Sequence, residues 1–402
     1  MVLSGVSVII PIYKGKKYLD YWTRILSKNF SDVEETYHMH CEAVFVNDYP
    51  GEKIALPDSR LCAAVYNLEK NLGIQGARAF GCRKAEGEYV VFLDQDDKIA
   101  ENYLTSQLGQ IGNADAVVCN GYRERLWMRG KRAIYTQNGQ LDKIRGRDCV
   151  FTEKNEICSP GQVLIRKVSI PDLWLTKIMK ENGADDYLLW ICMQKARRVF
   201  EVNYQRLYTH MEYGSNTSSR SEGMSRSIGE MFSILEENQI LGTEELSVLK
   251  QNISKNEEES RYLKMVRVYD YWTYLKIRNR RVEDYLKSRH YEKIAIYGMN
   301  YIGNRLYDDL CGGGVEVTFG IDREADGIVY EIPVFRIEDP GLAEHMEGID
   351  AVVVTAIASC QKIFSDLKKI CRKPVLSIED IFLDMMEAEG SRERIKTEGT
   401  VL

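Results

Sequence analysis

No run of apolar residues in this chain approaches the ~18 that cross a bilayer as a helix, so a transmembrane segment is not expected. No two of its ten cysteines have Cys-x-x-Cys spacing. Several of them (Cys41, Cys62, Cys119, Cys192) sit in apolar runs, which predicts buried, reduced thiols rather than disulfides or zinc ligands. An excess of positive charge is also missing. The formal net charge is −6 and the pI about 5.7, which argues against a nucleic-acid partner. The chain enters an apolar strand at Val6, leaving no length for a secretory leader. Together these absences predict a cytoplasmic protein. Two basic stretches, Arg129-Gly130-Lys131-Arg132 and Arg278-Asn279-Arg280-Arg281, read as solvated faces, with peripheral contact at the inner membrane face as the alternative.

What is present is a long globular chain. At 402 residues with 44% hydrophobic and 28% charged content, two or three domains are expected. Residues 6–120 alternate strand and helix: strands at Val6–Ile10, Ala43–Val46, Leu61–Tyr66, Tyr89–Leu93 and Ala116–Cys119, helices at Tyr18–Leu26 and Gln75–Ala85. That alternation predicts a mainly parallel sheet between helices. Further along, Arg123–Tyr135 reads as a hairpin turning at Arg129-Gly130, and Phe200–Tyr208 as a strand. Residues 222–290 read as a charge-rich helical connector. From 291 to 402 strands recur at Ile294–Tyr297, Val315–Ile321, Asp350–Thr355 and Val375–Ser377, predicting a small Rossmann-like α/β domain.

The most informative stretch is Tyr89-Val90-Val91-Phe92-Leu93-Asp94-Gln95-Asp96-Asp97, an apolar strand running straight into three carboxylates. The acids repel one another and resist desolvation without a counter-charge. A strand ending at a cleft that holds Mg²⁺ or Mn²⁺ resolves the conflict, because hard cations take carboxylate oxygens and bridge to substrate phosphates. Ligands of parallel sheets bind at the carboxyl ends of the strands. Tyr13, Asp48 and Asp94–Asp97 all fall just past strand ends, so one cleft can gather them.

Val6-Ser7-Val8-Ile9-Ile10-Pro11-Ile12-Tyr13, Asn71-x-Gly73, Ala77-Arg78, Gly81, Ala85-x-Gly87-Glu88-Tyr89 and Asp94-x-Asp96-Asp97 follow one another in an order and spacing that resembles the family 2 glycosyltransferases of GT-A fold. The resemblance covers residues 4–220 and defines a first domain over 1–221. It implies inverting transfer of one sugar from a nucleoside-diphosphate donor, with UDP expected, to an acceptor hydroxyl in bacterial-type glycan or glycoconjugate assembly. The acceptor is expected to be a glycan, lipid-linked or protein-linked.

The resemblance also assigns residues. Asp96 would hold the metal, Mn²⁺ or Mg²⁺, and Asp94 the ribose or the metal's water shell. Pro11, Tyr13, Asp48, Asn71 and Arg78 would contribute to the donor-nucleotide site, Asp48 bonding the base and Tyr13 packing on it. Asp185-Asp186 is similar to the family's acid pair before an aromatic-rich helix, with Asp186 as general base and Asp185 in support. Without the resemblance, that pair reads as an acidic helix N-terminus. His210, before a Ser/Asn/Thr-rich turn, is either a metal or phosphate contact or a structural side chain. Asp97 is either a supporting acid or a cap on the next helix.

Departures from the pattern are visible. Asn47-Asp48-Tyr49-Pro50 keeps one acid where many relatives have two, Ala79 follows Arg78 where Asn is common, and Asp185 replaces Glu. No Trp follows Gln194-Lys195-Ala196-Arg197-Arg198, so the signature of processive synthases is absent and single-sugar transfer is expected. In the C-terminal region Gly298-x-Asn300-x-x-Gly303 lacks the middle glycine of a dinucleotide fingerprint, and Asp322 lies where a ribose-binding acid would. NAD(P) is not expected. A sugar nucleotidyltransferase and a non-catalytic nucleotide-sugar-binding scaffold are the rival readings, and self-association into a homo-oligomer stays open.

Overall fold

A computed structural model of the chain describes residues 5–56, 61–125, 130–146, 150, 155–212, 221–325, 331–357 and 360–386. Two compact units divide it, residues 1–212 with 223–254 and residues 213–222 with 255–402.

The first unit is built on a mixed sheet. Its parallel half runs β3 (Ala63–Asn67), β2 (His40–Asn47), β1 (Gly5–Ile12) and β4 (Tyr89–Phe92). Beyond β4 come β8 (Val163–Arg166), antiparallel to both neighbours, then β6 (Ala116–Arg125), β9 (Phe200–Glu212) and the short β5 (Lys98–Ile99). β7 (Lys131–Ala133) pairs antiparallel with β6, as a hairpin over Arg123–Tyr135 requires, and Gly130 has φ +81°; Arg129 of the expected turn lies outside the described residues.

β1 is buried on both faces, and its side chains alternate between two apolar layers. Val8, Ile10 and Ile12 pack with Trp22 and Leu26 of helix α1 (Leu19–Tyr37) and with helix α3 (Tyr103–Ile111). Ile9 points the other way, toward Ala77 of helix α2 (Gly73–Lys84), Trp174, and Leu188 and Ile191 of helix α6 (Asp185–Lys195). Helix α4 spans Asn138–Asp142 and α5 spans Asp172–Thr176. Each of the buried Val, Leu and Ile side chains contributes roughly 1.5–3 kcal/mol by leaving water. Helix α7 (Ser221–Glu237) and the start of α8 (Thr243–Ile277) join the second layer through Met231, Leu235, Leu246 and Leu249.

Register fixes the cleft. Ile12 lies opposite Asn47 and Ile9 opposite Phe92, so β1, β2 and β4 end along one edge of the sheet. At the opposite end of β4, Gly87 is required by space, since a Cβ there would meet the Ser7 nitrogen at 2.7 Å. Its own N–H donates to Ser7 Oγ at 2.8 Å. The Gly-Glu-Tyr of the motif is therefore a packing signature.

The second unit carries a fully parallel sheet, with strands β12 (Val334–Phe335), β11 (Glu316–Ile321), β10 (Lys293–Tyr297), β13 (Ala351–Val354) and β14 (Val375–Ser377) in that order. In chain order this is third, second, first, fourth, fifth, the order of a Rossmann sheet. Helices α9 (Val282–Ser288), α10 (Tyr301–Leu310), α11 (Leu342–Glu347) and α12 (Cys360–Ile370) accompany it. Gly303 lets α10 approach the strand, because a Cβ would stand 2.0 Å from the Gly298 carbonyl oxygen.

Candidate active site

Arg78 is the hub. It lies on α2, 3% exposed, with Nη2 donating to Asp94 Oδ1 and Nη1 donating to Asp185 Oδ2 at 2.8 Å. Burial alone would weaken its charge, but Asp94, Asp185 and Asp186 outweigh that and hold it cationic. A planar two-pronged donor suits this task, and a lysine, a compact point charge without the rigid fork, would match the two carboxylates less well. One residue thus ties the acid run after β4 to the acid pair opening α6.

Asp186 is half-buried, and its Oδ1 accepts the Tyr187 N–H at 2.7 Å. Burial and then Asp185 push its carboxyl up, against the pull of Arg78. Asp96 is also half-buried, and desolvation followed by Asp97 and Asp94 raises it to about 7. Two acids poised this way mark a site where charge is concentrated ahead of a partner.

Asp97 has a different position. Its carboxylate accepts from the Tyr208 hydroxyl and from Met211 N–H at 2.9 Å, and lies 3.3 Å from His210 Nδ1. It therefore latches the end of β9 to the end of β4. Burial opposes protonation of His210, yet Asp97 prevails and raises the imidazole to about 10.

On the far side of the strand edge, Asp48 Oδ1 accepts Leu72 N–H at 2.6 Å, and Asn71 Oδ1 accepts Gly73 N–H at 2.8 Å. Both order the turn that opens α2, and Asp48, buried, is raised by desolvation against those N–H groups. Asn47, standing where many relatives carry an acid, bonds Asn67 Oδ1 at 2.8 Å and the Glu52 carbonyl at 2.6 Å, fixing the loop after β2. Pro11 sits opposite Val46, past the last β1–β4 pair at Ile9, so its missing N–H leaves no gap in that pairing. Tyr13 is 45% exposed, its ring 5.4 Å from that of Tyr49, with Lys14 Nζ 5.5 Å from the Tyr13 ring and 5.1 Å from the Tyr49 ring.

Gln95 escapes sequence reading because it occupies the variable position of Asp94-x-Asp96. Its amide accepts Tyr13 N–H at 2.9 Å and donates to the Tyr13 carbonyl at 3.1 Å, and its own carbonyl accepts from Trp22 Nε1 at 2.7 Å. Tyr49 and Tyr208 are likewise recognisable only in space.

The Glycosyl transferase family 2 profile matches residues 7–174. Residues 7–174 belong to that family. A glycosyltransferase of Rickettsia bellii is 30% identical over 196 residues, 47% of this chain and 26% of the relative. One of Haemophilus influenzae is 28% identical over 218 residues, 52% of this chain and 78% of the relative. The chain therefore spans about a quarter of the first relative's length and most of the second's. Among solved structures, S. aureus TarS 1-349 in complex with UDP-GlcNAc aligns at TM-score 0.42 and 18% identity, over 62% of this chain and 71% of that one. The glycosyltransferase family match ends before α6 and β9, so Asp185, Asp186 and His210 lie outside it.

No group of three His, Cys, Asp or Glu side chains is disposed to enclose a metal among the described residues. A cation site completed by a substrate does not need such a cage. Mg²⁺-type ions are commonly held by one or two carboxylates while substrate phosphates and water complete the shell. Asp96, desolvated beside two further acids, has the donor chemistry for that arrangement. No helix among the described residues is long and apolar enough to cross a membrane. In the basic segment before α9, Arg278 lies over the Tyr274 ring at 3.8 Å and Arg281 pairs with Glu283 at 2.8 Å.

Proposed function

We propose that this protein is a metal-dependent inverting glycosyltransferase that moves a single sugar from a UDP-linked donor to an acceptor hydroxyl in glycan or glycoconjugate assembly. The observation that carries the reading is the Arg78 bridge, which joins the acids after β4 to the acid pair at the start of α6. Donor-side and acceptor-side chemistry need that proximity. Tyr13 and Tyr49 offer an exposed aromatic edge for the base of the nucleotide, and Asp48 stands beside them past the end of β2. Asp96 is the carboxylate toward which Mn²⁺ or Mg²⁺ would bind. When bound, the cation supplies Lewis-acid compensation of the charge that builds on the departing diphosphate. His210, kept cationic by Asp97, suits direct contact with a phosphate oxygen better than metal ligation, which would need a neutral imidazole. Asp186 takes the acceptor hydroxyl proton; its raised carboxyl is a stronger base than an exposed aspartate and therefore better matched to the task.

The reading that the second unit carries no NAD(P) rests on Asn300 standing where a dinucleotide fingerprint has its middle glycine, and Asp322, the acid after β11, has a role within the turn. Its two oxygens accept the N–H groups of Met299 at 2.8 Å and Glu324 at 3.1 Å, so the carboxylate closes the glycine turn itself. A screen of nucleotide sugars by hydrolysis and thermal shift, with Mn²⁺ and Mg²⁺, tests the proposal. UDP-sugars should stabilise the protein only with the cation present, and stabilisation by nucleoside triphosphates alone would point to nucleotidyl transfer instead.

A further inference from the structure

The loop that delivers the acid pair, residues 180–184, is gripped by a helix that lies more than forty positions downstream. Glu230 on α7 accepts the Lys180 N–H with both carboxylate oxygens at 2.9 Å, and its Oε2 also accepts the Glu181 N–H at 2.9 Å. Ser227, fully buried on the same helix, accepts the Ala184 N–H at 2.9 Å and donates to the Glu181 carbonyl at 3.1 Å. Ala184 is the residue immediately before Asp185-Asp186 and the cap of α6. From the opposite side, Asn182 Oδ1 accepts the Ile74 N–H at 3.0 Å, and Trp174 Nε1 donates to the Asp185 carbonyl at 2.7 Å.

A loop with so many donors satisfied by one helix is not an ordinary surface connection. Met231 and Leu235 anchor α7 in the same apolar layer as Leu188 and Ile191 of α6, so the polar grip and the packing act on one pair of helices. The Arg226–Glu181 pair at 3.1 Å is exposed and adds little.

We propose that Ser227 and Glu230 are positioning residues for transfer, clamping the 180–184 loop so that Asp186 is held where it meets the acceptor hydroxyl. The inference rests on the reading of Asp186 as the base. A base displaced by about an ångström loses much of its effect while donor binding, on the other side of Arg78, is untouched. α7 then makes a segment outside the family match part of the catalytic apparatus.

Full-length Ser227→Ala, Glu230→Ala and Glu230→Gln, each alone and combined with Asp186→Asn, test the clamp. The probe is whichever UDP-, GDP- or dTDP-hexose the wild type hydrolyses fastest with Mn²⁺. The alanine variants should lose about tenfold in kcat with the donor KM unchanged, Glu230→Gln less, and none should slow Asp186→Asn further, because residues acting through one group are not additive. Amide exchange across residues 180–188 should quicken by about tenfold or more, with β1 and β4 unchanged. Full kcat in the clamp variants beside an inactive Asp186→Asn overturns the clamp, as do losses that multiply. A fully active Asp186→Asn overturns the base reading instead. Unchanged exchange in residues 180–188 overturns the clamp whatever the donor.

Discussion

Arg78 Nη1 stands 2.8 Å from Asp185 Oδ2, joining two residues 107 positions apart in a buried pair. Its other arm holds Asp94, so the arginine is the point at which three separate chain segments meet. Breaking a buried pair from one side leaves uncompensated charge, which is far costlier than never having built it.

Arg78→Ala is therefore expected to destabilise the protein by about 3–5 kcal/mol, read from chemical denaturation. Arg78→Lys should recover only part of that, because an ammonium lacks the planar fork that reaches Asp94 and Asp185 from two separate nitrogens. Equal stability of Arg78→Lys and the wild type would refute the bridging role.

Asp96→Ala should abolish the part of donor binding that depends on Mn²⁺ or Mg²⁺, measured by calorimetry with and without chelator. Asp97→Ala should instead cost stability, since Asp97 is occupied by Tyr208, Met211 and His210. Retention of cation-dependent affinity in Asp96→Ala would remove the metal assignment.

The raised Asp96 carboxyl sets a pH dependence. Its folded pKa of about 7 lies above the ordinary aspartate value of 3.8, so between them the folded state binds more protons than the unfolded one. The metal-free protein should lose stability as pH rises from about 4 through about 7 on account of this group. A divalent cation replaces the missing proton, so its gain in Tm should be larger at about pH 8 than at about pH 5. Thermal melts with and without Mn²⁺ at both pH values decide this, and a gain that shrinks as pH rises would contradict it.

Asp186→Asn should keep donor affinity and lose transfer by about 10²-fold or more, the scale of general-base removal. Single-turnover kinetics separate the two effects. Asn is nearly isosteric, so the Tyr187 contact and the fold should survive.

Much of the first unit was legible in the chain. β1, β2 and β4 announce themselves as apolar runs closed by Pro11, Asn47-Asp48 and Asp94, because strands buried on both faces must be apolar throughout. Periodicity does not reveal β8 or α3: Val163–Arg166 is a short apolar run between turns, which cannot be separated from other buried segments. α1 extends to Tyr37, well past the expected Leu26, since its polar later turns carry only a thin apolar stripe that includes Phe30 and Val33.

Sequence alone determined the kinds of chemical group available: an acid run at a strand end, an arginine after Ala77, an acid pair opening a helix. Residue types and local spacing are enough for that, since strand and helix periodicity fix which residues share a face. Only the tertiary structure decided how those acids divide. Asp97 binds the end of β9, Asp94 and Asp185 bind Arg78, and Asp96 and Asp186 have carboxyls raised by burial and by their acidic neighbours. That division depends on distances of a few ångströms between segments about a hundred residues apart, and Coulomb energies in a poorly screened cleft depend on those distances rather than on position in the chain.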